Sequence, residues 1–414
     1  MTREKVKQQE LIPHLFRTEF SRIAAVLSKQ FGLEHLEAAE DIASETFLAA
    51  LETWSYKGVP ENPTGWLYAV AKNKARNMAA RNKLYQEKVA SFSASHEGLT
   101  FEIDLSEQNI SDSQLQMLFA ICHPSIPRES QIGLALRVLC GFGVDEIANA
   151  FLTNKETINK RLFRAREKLR EENVKIEFPD DAKINGGLDT VLTTLYLLFN
   201  EGYCSESDSQ IIRKELCLEA MRLLYMLVGN PLTNRPPVNA LLALMCFHTS
   251  RFEARKNING ELVLYDDQDE SLWNQELISK GVYFLKEASH GNDLSKYHLE
   301  ASIAYWHTIK LSSAEKWQNI LKLHDQLLAI ENSPIASLNR AFAFSKVHGC
   351  EAAIVEVEKL KLENNPYYHT LLGELNWEID GAKSKASFEK ALALTRTKPD
   401  KQIIQKKLRN FEKV

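Results

Sequence analysis

Residues 144–170, VDEIANAFLTNKETINKRLFRAREKLR, decide how this chain is read. Val144, Ile147, Ala148 and Phe151 fall at i, i+3, i+4 and i+7, the spacing of one buried helical face. Thr153-Asn154-Lys155-Glu156 has the form of a capping box, so a second helix is expected from about Asn154. In that helix Ile158, Leu162, Ala165 and Leu169 repeat at +4, +3, +4. Lys155, Asn159, Lys160, Arg161, Arg164, Arg166, Lys168 and Arg170 cover its other faces. Between 155 and 170 seven Lys/Arg stand against two Glu, a net charge of +5. Helix, short turn and basic helix is the arrangement that places a second helix in the DNA major groove while its cations meet phosphates. A solvated surface helix would carry the charge equally well; the turn and the cap favour DNA.

Outward from this stretch, 414 residues are enough for two or three domains with real cores. The net charge of −4 hides an asymmetry, because residues 72–88 hold six Lys/Arg against one Glu. Removing both basic windows leaves −14 on the remainder. Two local basic sites on an acidic body suit a protein that touches nucleic acid at chosen places. Six scattered cysteines with no CxxC pair argue against a zinc module and a disulfide scaffold, and fit a reducing cytoplasm. No metal or cofactor is expected; Cys122-His123 lacks partners at ligand spacing. MTREKVKQQE has no apolar signal-peptide core, and the longest apolar run, Ala240 to Phe247, is too short for a bilayer. A cytoplasmic protein without a membrane partner is therefore expected.

Toward the N-terminus, Leu11, Leu15, Ile23, Val26 and Leu27 supply a helical core face that Gly32 interrupts. AAEDIASETFLAALETW follows, with Ile42, Thr46, Ala49 and Ala50 inside and Glu40, Asp41, Glu45 and Glu52 outside. Such an acidic face is either solvated or a docking surface for a basic partner. After Pro60 and Pro63, GWLYAVAKNKARNMAARNK interleaves Trp66 and Tyr68 with Lys72, Lys74, Arg76 and Arg81, the mixture that stacks bases and meets phosphates. Periodicity is lost from Ser91 to Ser113 while Ser, Glu, Asp and Asn accumulate, which reads as an acidic linker. Helices are expected again at 114–121 and 128–139, divided by His123-Pro124 and Pro127.

DIASETFLAAL, NPTGWLYAVAKNKARN, the acidic linker and RESQIGLALRVLCGFGVDEIANAFLTNKETINKRLFRARE together resemble regions two and four of a sigma-70 family factor of the extracytoplasmic-function type. LFAICHPSIPRESQ, YLLFNEGY, ELVLYDDQDESLWN and SPIASLNRAFAFSKVHG resemble the subfamily with a long tetratricopeptide-like C-terminal extension. The resemblance implies an all-α chain with a region 2 domain at 1–88, a linker at 89–113, a region 4 helix-turn-helix domain at 114–175 and a helical C-terminal domain at 176–414. It implies core RNA polymerase as partner, through the β′ clamp helices and the β flap, and promoter DNA. Asp41, Glu45 and Phe47 match the docking helix; Trp66, Lys72, Asn73, Arg76, Asn77 and Arg81 fall in the segment that opens the −10 element. Lys155, Thr157, Asn159, Lys160, Arg161, Arg164 and Arg166 fall in the −35 reading helix. The linker occupies the place of the segment that threads toward the RNA exit path. Ser44 and Asn77 depart from the family pattern, which has Gln and Asp there, so these positions do not specify a promoter sequence.

In the C-terminal half, Leu188 to Phe199 reads as an apolar helix with Gly202 as C-cap, followed by helices at 211–228, 238–256, 273–288 and 297–309. Asn259-Gly260 suggests a small hairpin, and Asp266, Asp267, Asp269 and Glu270 form a loop without the central glycine of an EF-hand. Residues 335–395 contain a helix-turn-helix unit twice, with turn glycines Gly349 and Gly381 32 residues apart, near the tetratricopeptide period of about 34. Ala341, Ala343, Ala353, Ala386 and Ala391 would let paired helices approach closely. Such repeats pack on the sigma domains or bind a protein partner. No catalytic constellation is evident: Asn200-Glu201-Gly202-Tyr203 reads as a helix end and His248 as a packed imidazole, so no enzyme is expected. The competing reading is a helix-turn-helix regulator with a helical-repeat sensor, which has no use for the acidic docking helix.

Overall fold

The computed structural model describes residues 3–89, 103–151, 153–179, 184–204, 210–257, 262–291, 294–396 and 398–411. The protein is all-α; among the described residues the only β feature is an isolated antiparallel bridge between Lys256 and Leu262. Asn259-Gly260, where a hairpin turn is expected from the sequence, lies outside the described residues. The chain divides into two compact units, residues 1–202 with 211–226, and 203–210 with 227–414.

The first unit begins with α1 (Arg3–Phe31), α2 (Leu36–Lys57) and α3 (Pro63–Val89). Gly32, at φ +88°, turns the chain between α1 and α2, a backbone conformation that a side chain disfavours. The apolar faces anticipated from spacing meet in one core, where Phe20, Ile23, Leu27, Ile42, Trp54 and Leu67 are all at most 5% exposed. Burying each large side chain contributes about 1.5–3 kcal/mol.

Residues 103–113 differ from the expected linker. Ile103, Leu105 and Ile110 belong to the same core, and α4 (Glu107–Ile121) already starts where linker was anticipated. Ser106 caps it by accepting from the Asn109 N–H, and Asp104 Oδ1 accepts from the Ser106 N–H at 2.8 Å. Three isolated apolar residues, each with a place in a neighbouring core, outweigh a polar composition. The linker residues 90–102 lie outside the described residues.

Next come α5 (Arg128–Leu134), a π-helical turn at Ala135–Leu139, α6 (Val144–Ala150) and α7 (Lys155–Glu171). Gln131 stitches the preceding turn by donating to the carbonyls of His123 at 3.0 Å and Ile126 at 3.2 Å, and accepts from Thr194 at 2.7 Å. Thr194 sits on α8 (Ile184–Cys204), which with much of α9 (Gln210–Gly229) belongs to this unit. Gly202 lies inside α8 rather than capping it, because the helix continues to Cys204. On α9, Arg222 donates to the Leu139 carbonyl at 2.7 Å.

The second unit contains α10 (Pro236–Thr249), α11 (Gln275–Ala288), α12 (Lys296–Trp306) and α13 (Ala314–Ile330). The first three answer to the expected helices; α13 was not anticipated, although Ser313 caps it and Trp317, Ile320, Leu321, His324 and Leu327 line its buried face. Then follow α14 (Pro334–His348), α15 (Cys350–Lys359), α16 (Pro366–Asn376), α17 (Gly381–Leu394) and α18 (Lys398–Asn410). Four of the five small residues expected at helix contacts are buried, Ala341, Ala343, Ala353 and Ala391, while Ala386 faces solvent. Gly373 permits a close approach of α16 to α17: a Cβ there would stand 2.9 Å from the Phe388 ring.

Candidate nucleic-acid interface

Helix α7 begins where the spacing places it, but its N-cap is Asn154 rather than Thr153: the Asn154 side chain accepts from the Thr157 N–H at 2.8 Å. One helix earlier, half of such a box is present: Glu146 Oε2 accepts from the Gly143 N–H at 2.7 Å, while Gly143 has no side chain to return the bond. Ile158, Leu162, Ala165 and Leu169 are all at most 3% exposed, so the inward face is the one the spacing requires.

The other faces divide. Lys155, Thr157, Asn159, Lys160 and Arg164 are exposed, and Arg161 is partly buried with its guanidinium 5.6 Å from the Phe151 ring centroid. Lys155 Nζ is 2.9 Å from Asp145 Oδ2. Thr157, Lys160, Arg161, Arg164 and Lys168 line a groove of about 390 Å³ against Pro127 and Ser130. Arg166 behaves differently. Its side chain is 12% exposed and its Nη2 lies 2.7 Å from Glu40 Oε2, while Arg170 and Arg166 both reach Glu37. Glu40 also receives Arg137 at 3.3 Å. Burial pushes the Glu40 carboxyl above the usual carboxylate range, against the opposing pull of Arg166 and Arg137. Arg166 therefore faces α2 in this arrangement and not the groove.

On α3, Asn73, Arg76, Asn77 and Arg81 are exposed at i, i+3, i+4 and i+8, one continuous stripe. Lys72 is partly buried beside it. Trp66 is also partly buried, edge-on to Trp54 with ring centroids 5.4 Å apart, so much of its surface serves the core. Tyr68 packs inward as well, its hydroxyl donating to the buried Glu19 carboxylate at 2.6 Å.

On α2, Asp41 and Glu45 are exposed, and Glu45 Oε2 accepts from Lys74 at 2.7 Å. Phe47 corrects the expectation: it is 3% exposed and edge-on to Phe16 at 5.1 Å, so it supports the face from beneath and cannot touch a partner. The apolar contacts on offer are instead Leu48 at 55% and Leu51 at 48% exposure, with Tyr56 at 91%. Sequence reasoning passed over them, although both leucines lie off the stripe of Ile42, Thr46 and Ala50 that the spacing had marked as internal.

Residues 15–84, which carry the acidic face of α2 and the stripe of α3, match the family described as Sigma-70 region 2. The chain thus carries a sigma-70 region 2 segment. Over 172 residues the chain is 29% identical to the RNA polymerase sigma factor YlaC of Bacillus subtilis (strain 168), a span covering 41% of the present chain and 96% of YlaC. Over 382 residues it is 32% identical to uncharacterized protein R00370 of Rhizobium meliloti (strain 1021), covering 90% of each, so the two share a family along most of their length. Residues 187–289 match a family of unknown function, DUF6596. No solved structure matches the chain.

Among the described residues no three His, Cys, Asp or Glu side chains are grouped to hold a metal ion, and no helix is long and apolar enough to cross a membrane. Cys122 is buried, and the His123 ring is taken by Ser125 Oγ at 2.8 Å.

Proposed function

We propose that this protein is a cytoplasmic sigma factor of the extracytoplasmic-function type, which binds core RNA polymerase, recognises −35 and −10 promoter elements and helps melt DNA. It uses no bond-making chemistry of its own. The observation that carries this reading is the face of α2, where Asp41, Glu45 and Glu52 stand beside exposed Leu48 and Leu51. A plain DNA-binding regulator has no need of apolar residues held in water next to acids, whereas a helix that docks on a basic, partly apolar partner does. That partner is the β′ clamp-helix region of polymerase, with the β flap engaging region 4.

The stripe Asn73, Arg76, Asn77 and Arg81, flanked by Lys72 and Trp66, serves the −10 element. The α7 groove, with Lys155, Thr157, Asn159, Lys160, Arg161 and Arg164, serves the −35 element. Arg166 joins them only if its pairing with Glu40 opens. The helix pairs of residues 335–395 form the tetratricopeptide-like part of a C-terminal extension that regulates or stabilises the sigma domains, or binds a protein partner.

Charge reversal at Asp41 and Glu45 tests the reading. The doubly substituted protein is expected to fold and to lose co-purification with core polymerase; normal co-purification would refute docking through this face.

A further inference from the structure

In the second unit, cationic and aromatic side chains from separate segments gather around one phenol. The Arg251 guanidinium lies 5.4 Å from the Tyr265 ring centroid, and Lys316 Nζ lies 5.4 Å from the same centroid. His307 stands edge-on to that ring at 5.3 Å, and Trp273 lies 6.1 Å from it. Arg251 follows the end of α10, Lys316 sits in the first turn of α13, and Tyr265 and Trp273 come from the intervening loop.

Charge is not balanced at this point. Lys316 is 1% exposed, yet among the described residues neither it nor Arg251 has a carboxylate within 4.0 Å. Lys316 Nζ donates to Tyr265 Oη at 3.2 Å and to the Ile309 carbonyl at 2.5 Å, which leaves one of its protons unassigned. The nearest acids, Asp266 and Glu270, are exposed and act on Lys316 only at longer range. Arg251 Nε and Trp273 Nε1 are buried without an acceptor. An ammonium drawn from water without a counter-charge is costly, and an unmet buried N–H adds to that cost. The surroundings are positive: burial and the nearby Arg251 depress the His248 and His307 imidazoles to about 3, so both are neutral at pH 7.

We propose that Arg251, Lys316 and the Trp273 N–H, gathered around Tyr265, form a binding site for a small oxyanion, the carboxylate or phosphate of a small molecule. Arg251 and Lys316 supply the charge and the indole a neutral donor, while Tyr265 and His307 wall the site. An occupant would satisfy the orphaned donors and tie the loop carrying Tyr265 and Trp273 to α13, stabilising this part of the unit.

The full chain labelled with 5-fluorotryptophan is titrated with inorganic phosphate and with acetate, against chloride at matched ionic strength, and followed by fluorine NMR. The Trp273 resonance is assigned with Trp273→Phe. Because phosphate also meets the basic groove of α7, a chain carrying Lys160→Ala and Arg164→Ala is titrated in parallel. A saturable Trp273 shift is expected with phosphate or acetate and not with chloride, unchanged by the α7 substitutions and weakened about tenfold or more by Arg251→Gln. The tighter anion names the ligand class. Arg251→Lys, which keeps the charge, is expected to retain part of the affinity and serves if Arg251→Gln does not fold. Absence of a saturable shift, an equal shift with chloride, or affinity undiminished in the folded Arg251 variants would overturn the proposal.

Discussion

Glu40 Oε2 and Arg166 Nη2 lie 2.7 Å apart, with side chains only 6% and 12% exposed, although 126 residues separate them. The pair joins the helix carrying the acidic face to the basic helix that lines the groove, and Arg137 completes it on the other carboxylate oxygen at 3.3 Å. One of the cations expected on DNA is thus a structural partner of α2.

Arg166→Met is expected to destabilise the first unit by about 3 kcal/mol or more, since it leaves Glu40 buried with half its partners. Arg164→Ala, at an exposed position on the same helix, is expected to leave stability within about 0.5 kcal/mol while weakening DNA binding and flattening its salt dependence. Denaturant unfolding and salt-titrated DNA binding separate the two. Equal stability of both variants would mean that the pair contributes nothing.

Phe47→Ala should cost about 3–5 kcal/mol, because a fully packed ring leaves a cavity beside Phe16. Leu48→Ala and Leu51→Ala should leave stability nearly unchanged and weaken polymerase binding. The reverse pattern would place the docking contact on Phe47 after all.

Removing the cap with Asn154→Ala should cost about 1 kcal/mol and fray the start of α7, where Lys155 and Thr157 sit. Hydrogen exchange at the Thr157 amide, which now donates to Asn154, reports it directly. Unaltered protection there would mean that the cap adds nothing.

The helical faces of this chain could be read from its sequence because spacing marks an internal face wherever apolar residues recur at 3.6, as Ile158, Leu162, Ala165 and Leu169 do. What spacing does not carry is the partner of a polar residue. Arg166 looks like Arg164 in the sequence, and only Glu37 and Glu40, brought up from α2, tell them apart. Phe47 falls in the docking motif, yet its helical period places it on the buried stripe with Ala43 and Ala50. Ile103 and Leu105 were lost in a polar stretch because two apolar residues set no period of their own. The cluster around Tyr265 draws on four segments, the residues after α10, the loop of Tyr265 and Trp273, the end of α12 and the first turn of α13, whose meeting depends on how these helices pack.

Acid should weaken the fold through His248, His307 and His324, which are held at about 3, 3 and 4. Burial is the largest cause for each, and Arg251 and Arg255 beside His248, Arg251 and Lys316 beside His307, and Arg340 beside His324 reinforce it, while Asp325 opposes it at His324. An unfolded imidazole titrates near 6.5, so between that pH and the folded values the unfolded chain holds more protons. Stability contributed by these neutral imidazoles is present above about pH 6.5 and is lost as pH falls, by up to about 1.4 kcal/mol per pH unit for each. Denaturation midpoints between pH 7.5 and 5 should therefore drop, less steeply in His324→Gln; a flat profile would contradict the buried neutral state.

The most direct test of the central claim is transcription in vitro from a promoter library by purified core RNA polymerase supplemented with the full chain. The account predicts specific transcripts that need the added protein and vanish when Asp41 and Glu45 are reversed in charge or when Lys160 and Arg164 are replaced by alanine. DNA binding that proceeds equally well without polymerase, with no transcript from any promoter, would contradict it.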